Sequence, residues 1–135
     1  MKASLVGFLV TATLMILSPV AFVAAQQASA IDARGVRHDA SQYSGRSVPW
    51  KADIIKSVAP EYPYEERSRQ REATGLFRIT IDLKTGLVTD AVIIRSTGYR
   101  GLDISGIKSL RKWRWRPGTW KQIDVPIRFT MQARR

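Results

Sequence analysis

Apolar and polar positions alternate most strictly near the C-terminus. Ile123, Val125, Ile127, Phe129 and Met131 fall on one side of an extended chain, and Asp124, Pro126, Arg128 and Thr130 on the other. A period of two is the mark of a strand with one face buried. The same pattern runs through Gly75 to Leu83, where Phe77, Ile79, Ile81 and Leu83 oppose Arg78, Thr80 and Asp82. Lys84-Thr85-Gly86 then supplies a tight turn, with glycine where a positive φ is needed. Val88 to Ser96 completes a hairpin. Its run Val92-Ile93-Ile94 breaks the alternation, which leaves two readings: both faces are covered, or a bulge shifts the register.

Between the hairpin and the last strand the period changes. Ile104, Ile107, Leu110 and Trp113 recur three apart and predict a helix over 102–114. Asp103 sits near its start, and Lys108, Arg111, Lys112 and Arg114 crowd its end, the order that suits the helix dipole. Gly106 inside it costs about 1 kcal/mol relative to alanine, a loss that close approach to the sheet would offset. Upstream, Pro60-Glu61-Tyr62-Pro63 holds Tyr62 extended. Pro63 can open a short polar helix reaching Glu72, with Glu65 and Glu66 in its first turn. The order helix–strand–strand–helix–strand predicts an α+β domain, a small antiparallel three-stranded sheet with helices packed on it.

The N-terminal part has a different texture. Residues 3–31 carry no charge. An apolar run from Leu5 to Leu17 is followed by Ser18-Pro19 and then by Ala28-Ser29-Ala30, a small-x-small cleavage pattern; Val23-Ala24-Ala25 is a second candidate. This layout predicts a secretory signal peptide over 1–30. The competing reading is an uncleaved inner-membrane anchor over residues 3–25, long enough to span a bilayer. Both carry the rest of the chain across a membrane. Residues 31–57 are polar and show no periodicity, which predicts a linker, so that the folded domain covers 58–132. His38 falls in this linker and is read as solvated.

Composition narrows the chemistry. The 135 residues suit one domain. Absence of cysteine removes disulfides, thiolate metal sites and a cysteine nucleophile, and a single histidine removes a multi-histidine zinc site. The formal net charge is +11. In an exported chain that charge meets lipid headgroups, cell-wall polyanions or acidic protein surfaces rather than nucleic acid. Trp113, Trp115 and Trp120 alternate with Arg114, Arg116 and Lys121; export assigns them to packing rather than to base stacking. No phosphate-binding loop, nucleophile elbow or zinc-protease pattern is present. The sequence therefore predicts a non-enzyme with no cofactor and no metal.

Pro126 adds a positional argument. Proline lacks the N–H that a ladder needs, so it belongs where a strand faces open space. If Pro126 faces outward, so do the backbones of Asp124, Arg128 and Thr130, while Val125, Ile127 and Phe129 bond inward. The strand is then either a template for a visiting peptide or an edge blunted against aggregation.

From Val58 to Met131 the chain resembles the C-terminal domain of TonB, the energy transducer of Gram-negative bacteria. The resemblance rests on Pro60-x-Tyr62-Pro63, Gly75 before the first strand and Gly86-x-Val88 in the turn. It continues through Ser96-Thr97-Gly98 with Leu102-Asp103, Lys112-Trp113-Arg114-Trp115-Arg116-Pro117, and Val125-Pro126 in the final strand. It implies a periplasmic domain that binds the TonB box, a short extended segment of an outer-membrane receptor, along Asp124, Val125, Pro126, Ile127, Arg128, Phe129 and Thr130. In the family the ExbB–ExbD motor supplies the force. Here the apolar segment contains no histidine, only Pro49 lies between residues 31 and 59, and the anchor is read as cleaved. These departures weaken the motor role and leave peptide binding intact. Two other readings stand beside it: an envelope adaptor acting through its basic surface, and a homodimer in which the final strands of two copies pair.

Overall fold

The computed structural model describes residues 28–131. The apolar segment at 3–25, with the cleavage pattern Val23-Ala24-Ala25, and residue 132 lie outside the described residues. In chain order the elements are β1 (Ser29–Asp32), β2 (Arg37–Asp39), a 3₁₀ turn (Ala40–Tyr43), α1 (Pro49–Ala52), β3 (Ile54–Lys56) and α2 (Tyr64–Ser68). There follow β4 (Ala73–Ile81), β5 (Val88–Arg95), α3 (Arg100–Leu110), β6 (Arg114–Trp115) and β7 (Trp120–Phe129). The main sheet is antiparallel in the order β2-β1-β7-β4-β5, and β3 pairs with β6 in a small second sheet.

The fold is α+β, and the three expected strands lie side by side as β7-β4-β5. The sheet is wider than expected because β1 and β2 extend it to five strands. The stretch 31–57 is therefore not a linker: it contributes β2, α1 and β3, and its Trp50 is buried in the core. Its strands are only three or four residues long, too short to show a period. Ser29 and Ala30, from the first cleavage pattern, are 3% and 1% exposed inside β1.

The long elements follow the pattern with instructive shifts. Arg95 stands opposite Leu76 and Ile93 opposite Phe77, so a bulge at Ile94 breaks the alternation in β5. α2 stops at Ser68 rather than near Glu72. Gln70 takes a left-handed φ of 55°, its N–H donates to the Arg67 carbonyl, and the Arg71 N–H donates to the Glu66 carbonyl. This is a Schellman ending without its usual glycine.

α3 also presents a rotated face. Ile104 is exposed, whereas Leu102, Ser105, Gly106, Ser109 and Leu110 are buried. The Ser105 and Ser109 hydroxyls donate to the carbonyls of Glu61 and Val58, so the extended segment after β3 covers that side. A Cβ at Gly106 would stand 2.8 Å from the Phe77 ring, so the helix does press on the sheet there. Phe77, Ile79, Leu110, Trp115 and Ile123 form the center of the core.

Candidate functional site

β7 is the hub of the sheet. On one side it pairs with β4 from Ala73↔Phe129 to Thr80↔Gln122. On the other, β1 covers only its first half, with Ser29↔Asp124 the last pair. Beyond Asp124, β7 has a strand partner on one side only among the described residues. Backbone directions follow from one bond. The Ala28 carbonyl accepts from the Ala40 N–H at 2.9 Å, so Ala28, Ala30 and Asp32 face β2. Ser29 and Ile31 then face β7, and their partners Asp124 and Gln122 face β1. Two residues further on, Pro126 turns outward, followed by Arg128. Proline sits where a missing N–H breaks no ladder.

The seven residues expected to form the docking strip divide accordingly. Asp124 is a correction: its outward backbone is taken by Ser29, because β1 was not legible as a strand. Its buried carboxylate accepts from Arg78 at 2.8 Å (Nε to Oδ1) and 3.0 Å (Nη2 to Oδ2). That bond holds the Arg78 guanidinium above its ordinary pKa, against the opposing effect of burial. Val125 and Ile127 are half-buried and pack on the core, while Pro126 and Arg128 are exposed. Phe129 is buried against the Tyr62 ring, with centroids 5.7 Å apart, and Thr130 is half-buried beyond it.

The motif residues hold this strip in place. Pro63 precedes α2, and the Tyr62 hydroxyl donates to the Arg71 carbonyl. Burial pushes the Tyr62 phenol up, reinforced by the carboxylates of Glu72 and Glu66. A Cβ at Gly75 would stand 2.8 Å from the Thr97 methyl group. Leu102 is fully buried. Asp103 lies in the first turn of α3, but its carboxylate accepts from the Ser96 hydroxyl and from the N–H and hydroxyl of Thr97. Burial raises that carboxyl; the three bonds outweigh it, and the net shift is downward. Gly86 has φ 79° and lies against the Trp115 carbonyl, close to the Pro117 nitrogen. Trp113 donates its indole N–H to the Val58 carbonyl at 2.9 Å.

Beside the open half of β7 lies a groove that sequence reasoning missed. It has a volume of about 290 Å³ and is walled by Val48, Trp50, Ile54, Trp113 and Trp115, with Val125 and Pro126 along one lip and Ala28 and Lys51 at the rim. Trp113 stacks on Trp115 at 5.6 Å, and Trp115 donates its N–H to the Trp50 carbonyl at 2.8 Å. Trp120 donates to Asp53, which also pairs with Arg116 at 3.2 Å. His38 is not a solvated linker residue. It is half-buried, hydrogen-bonded to Tyr43 at 2.9 Å and to Asp32 at 3.0 Å, and set edge-on to Trp120. The available signal was three apolar residues, Val48, Trp50 and Ile54, around Pro49, which follow no period.

Comparison with known proteins gives a consistent picture. The family described as Gram-negative bacterial TonB protein C-terminal matches residues 58–131. The chain is 26% identical over 86 residues to protein TonB of Vibrio cholerae, a match covering 59% of this chain and 35% of that one. It is 28% identical over 88 residues to protein tonB2 of Pseudomonas aeruginosa, covering 59% of this chain and 32% of that one. The chain thus spans about a third of the length of these curated relatives. Of the groove walls, Val48, Trp50 and Ile54 precede the residues the family matches.

Proposed function

Because the chain belongs to the family of Gram-negative bacterial TonB C-terminal domains, we propose that it acts as a periplasmic TonB-like module in energy-coupled transport across the outer membrane. In this reading it binds an extended peptide of an outer-membrane receptor by strand addition along Val125, Pro126, Ile127, Arg128, Phe129 and Thr130. The observation that supports the proposal is the second half of β7, which among the described residues pairs with β4 on one side and has no strand partner on the other. Strand addition to such an edge is an established mode of peptide recognition. Pulling force would then be borne by main-chain bonds, which are relatively tolerant of peptide sequence. Peptide binding requires no motor, and no contact with ExbB–ExbD is assigned.

A TonB-box peptide titrated into ¹⁵N-labelled protein tests this. Amide shifts should begin at Ile127, Arg128, Phe129 and Thr130. Arg128→Pro removes the outward N–H without breaking the β4 ladder, so the fold should persist while peptide affinity falls. Shifts confined to α3 would overturn the reading. Self-pairing of the final strand would compete for the same edge; a dimer in light scattering that the peptide fails to dissociate would replace peptide binding as the function of this edge.

A further inference from the structure

The open edge offers few backbone groups: the Pro126 carbonyl, and the N–H and carbonyl of Arg128. So short a strip does little to select one peptide from another, and selectivity must come from side chains. Strand geometry fixes where. A residue directly opposite one on β7 points its side chain to the same face. Val125 and Ile127 lie on the face of Phe77, which α3 covers. The groove opens on that face beside Val125 and Pro126, with Ala28 on its other lip. A visiting residue opposite Ile127 therefore presents its side chain on the same face as the groove, just beyond Ala28 and Val125.

The groove's chemistry narrows what that residue can be. Of the three tryptophans lining it, two have their indole N–H engaged, Trp113 with Val58 and Trp115 with the Trp50 carbonyl. A polar side chain entering there would leave water without gaining a partner at either of those two indoles. At about 290 Å³ the groove is too small for a helix, which is about 10–12 Å across with its side chains, and suits one large apolar side chain. Exposed Lys51 lies at the groove and exposed Arg128 further along β7 on its other face, while the Asp124 carboxylate, which also lines the groove, is bound to Arg78. Acidic flanks are thus favoured over basic ones.

We infer that the segment 28–54 adds a selectivity pocket to the family domain, one that admits extended peptides bearing a large apolar residue between acidic flanks. The inference rests on the strand-addition reading. Two blocked heptapeptides test it, Glu-Thr-Thr-Leu-Thr-Thr-Glu and the same peptide with serine in place of leucine. The Arg128 amide reports the edge, and the indole signals of Trp113 and Trp115 report the groove. Both peptides should move Arg128. The leucine form should bind about tenfold tighter and should also move the two indoles. Ala28→Phe, which fills the groove from its lip, should abolish the preference and leave the Arg128 response. Equal affinity of the two peptides, with Arg128 still responding, would overturn the pocket and leave strand addition standing. No response at Arg128 from either would overturn strand addition, and the pocket with it.

Discussion

Gly86 and Gly118 hold nearly the same backbone conformation, φ 79° and 81°, in opposite surroundings. A Cβ at Gly118 would meet nothing within 4 Å, whereas one at Gly86 would stand 1.9 Å from the Trp115 carbonyl oxygen. Alanine at either position incurs the left-handed cost of about 1–2 kcal/mol. Either change also restricts the unfolded chain to a similar degree. Those shared effects cancel when the two variants are compared, leaving the collision at Gly86. To relieve it, Trp115 must retreat, which breaks the 2.8 Å bond from its N–H to the Gly86 carbonyl. That bond is worth about 0.5–1.5 kcal/mol net. Repacking Trp115, only 1% exposed, adds an overpacking cost of about 1–3 kcal/mol. Gly86→Ala should therefore be less stable than Gly118→Ala by roughly 2–4 kcal/mol. Urea unfolding followed by circular dichroism measures the difference. With a slope of about 1–3 kcal/mol per molar for a small domain, the midpoints should separate clearly. Coincident midpoints would refute the reasoning, because the contact with Trp115 would then carry no cost.

Three further outcomes are expected. The Asp32 carboxyl is held at about 2 by its hydrogen bond with His38 and by the Val36 N–H. Since this lies below the ordinary value of 3.8, its stabilisation is complete above about pH 4 and is lost as pH falls through about 2. The amide signals of Arg34 and Val36 should shift over that window, and in Asp32→Asn they should not. Trp115→Phe strips the Trp50 carbonyl of its buried donor and should cost about 1–3 kcal/mol in thermal unfolding. Finally, because Ser29 and Ala30 are buried in β1, a signal-peptidase cut, if one is made, should leave a chain that begins at or before Ala28. An intact mass corresponding to a start at Ile31 would contradict this.

The parts of this fold that were legible in the sequence are those where a long element buries one face. β4 and β7, at nine and ten residues, are long enough to display an alternation, from Phe77 to Ile81 in one and from Ile123 to Phe129 in the other. β1 and β3 are held by partners distant in the chain, β7 and β6, and β2 is a three-residue strand paired only with β1, too short to show a period. The end of α2 was misplaced because Gln70 adopts a conformation that glycine would have announced. The face of α3 was misjudged because Ser105 and Ser109 are buried through bonds to carbonyls of another segment, which makes polar positions part of the interior. At the candidate site, Pro126 revealed which way the strand faces. The groove stayed hidden because its walls come from four separate stretches of chain, none patterned on its own.

The pairing of Ser29 with Asp124 joins opposite ends of the described chain. Synthesis delivers β1 first and β7 last, and β7 is the strand that both β1 and β4 require. Before it arrives, β1 has only the three-residue β2 beside it, and an isolated hairpin is marginal in water. The sheet therefore cannot zip up from the N-terminus; it closes in its middle, at the cost of a long loop. A polypeptide wired this way stays threadable until β7 has been made.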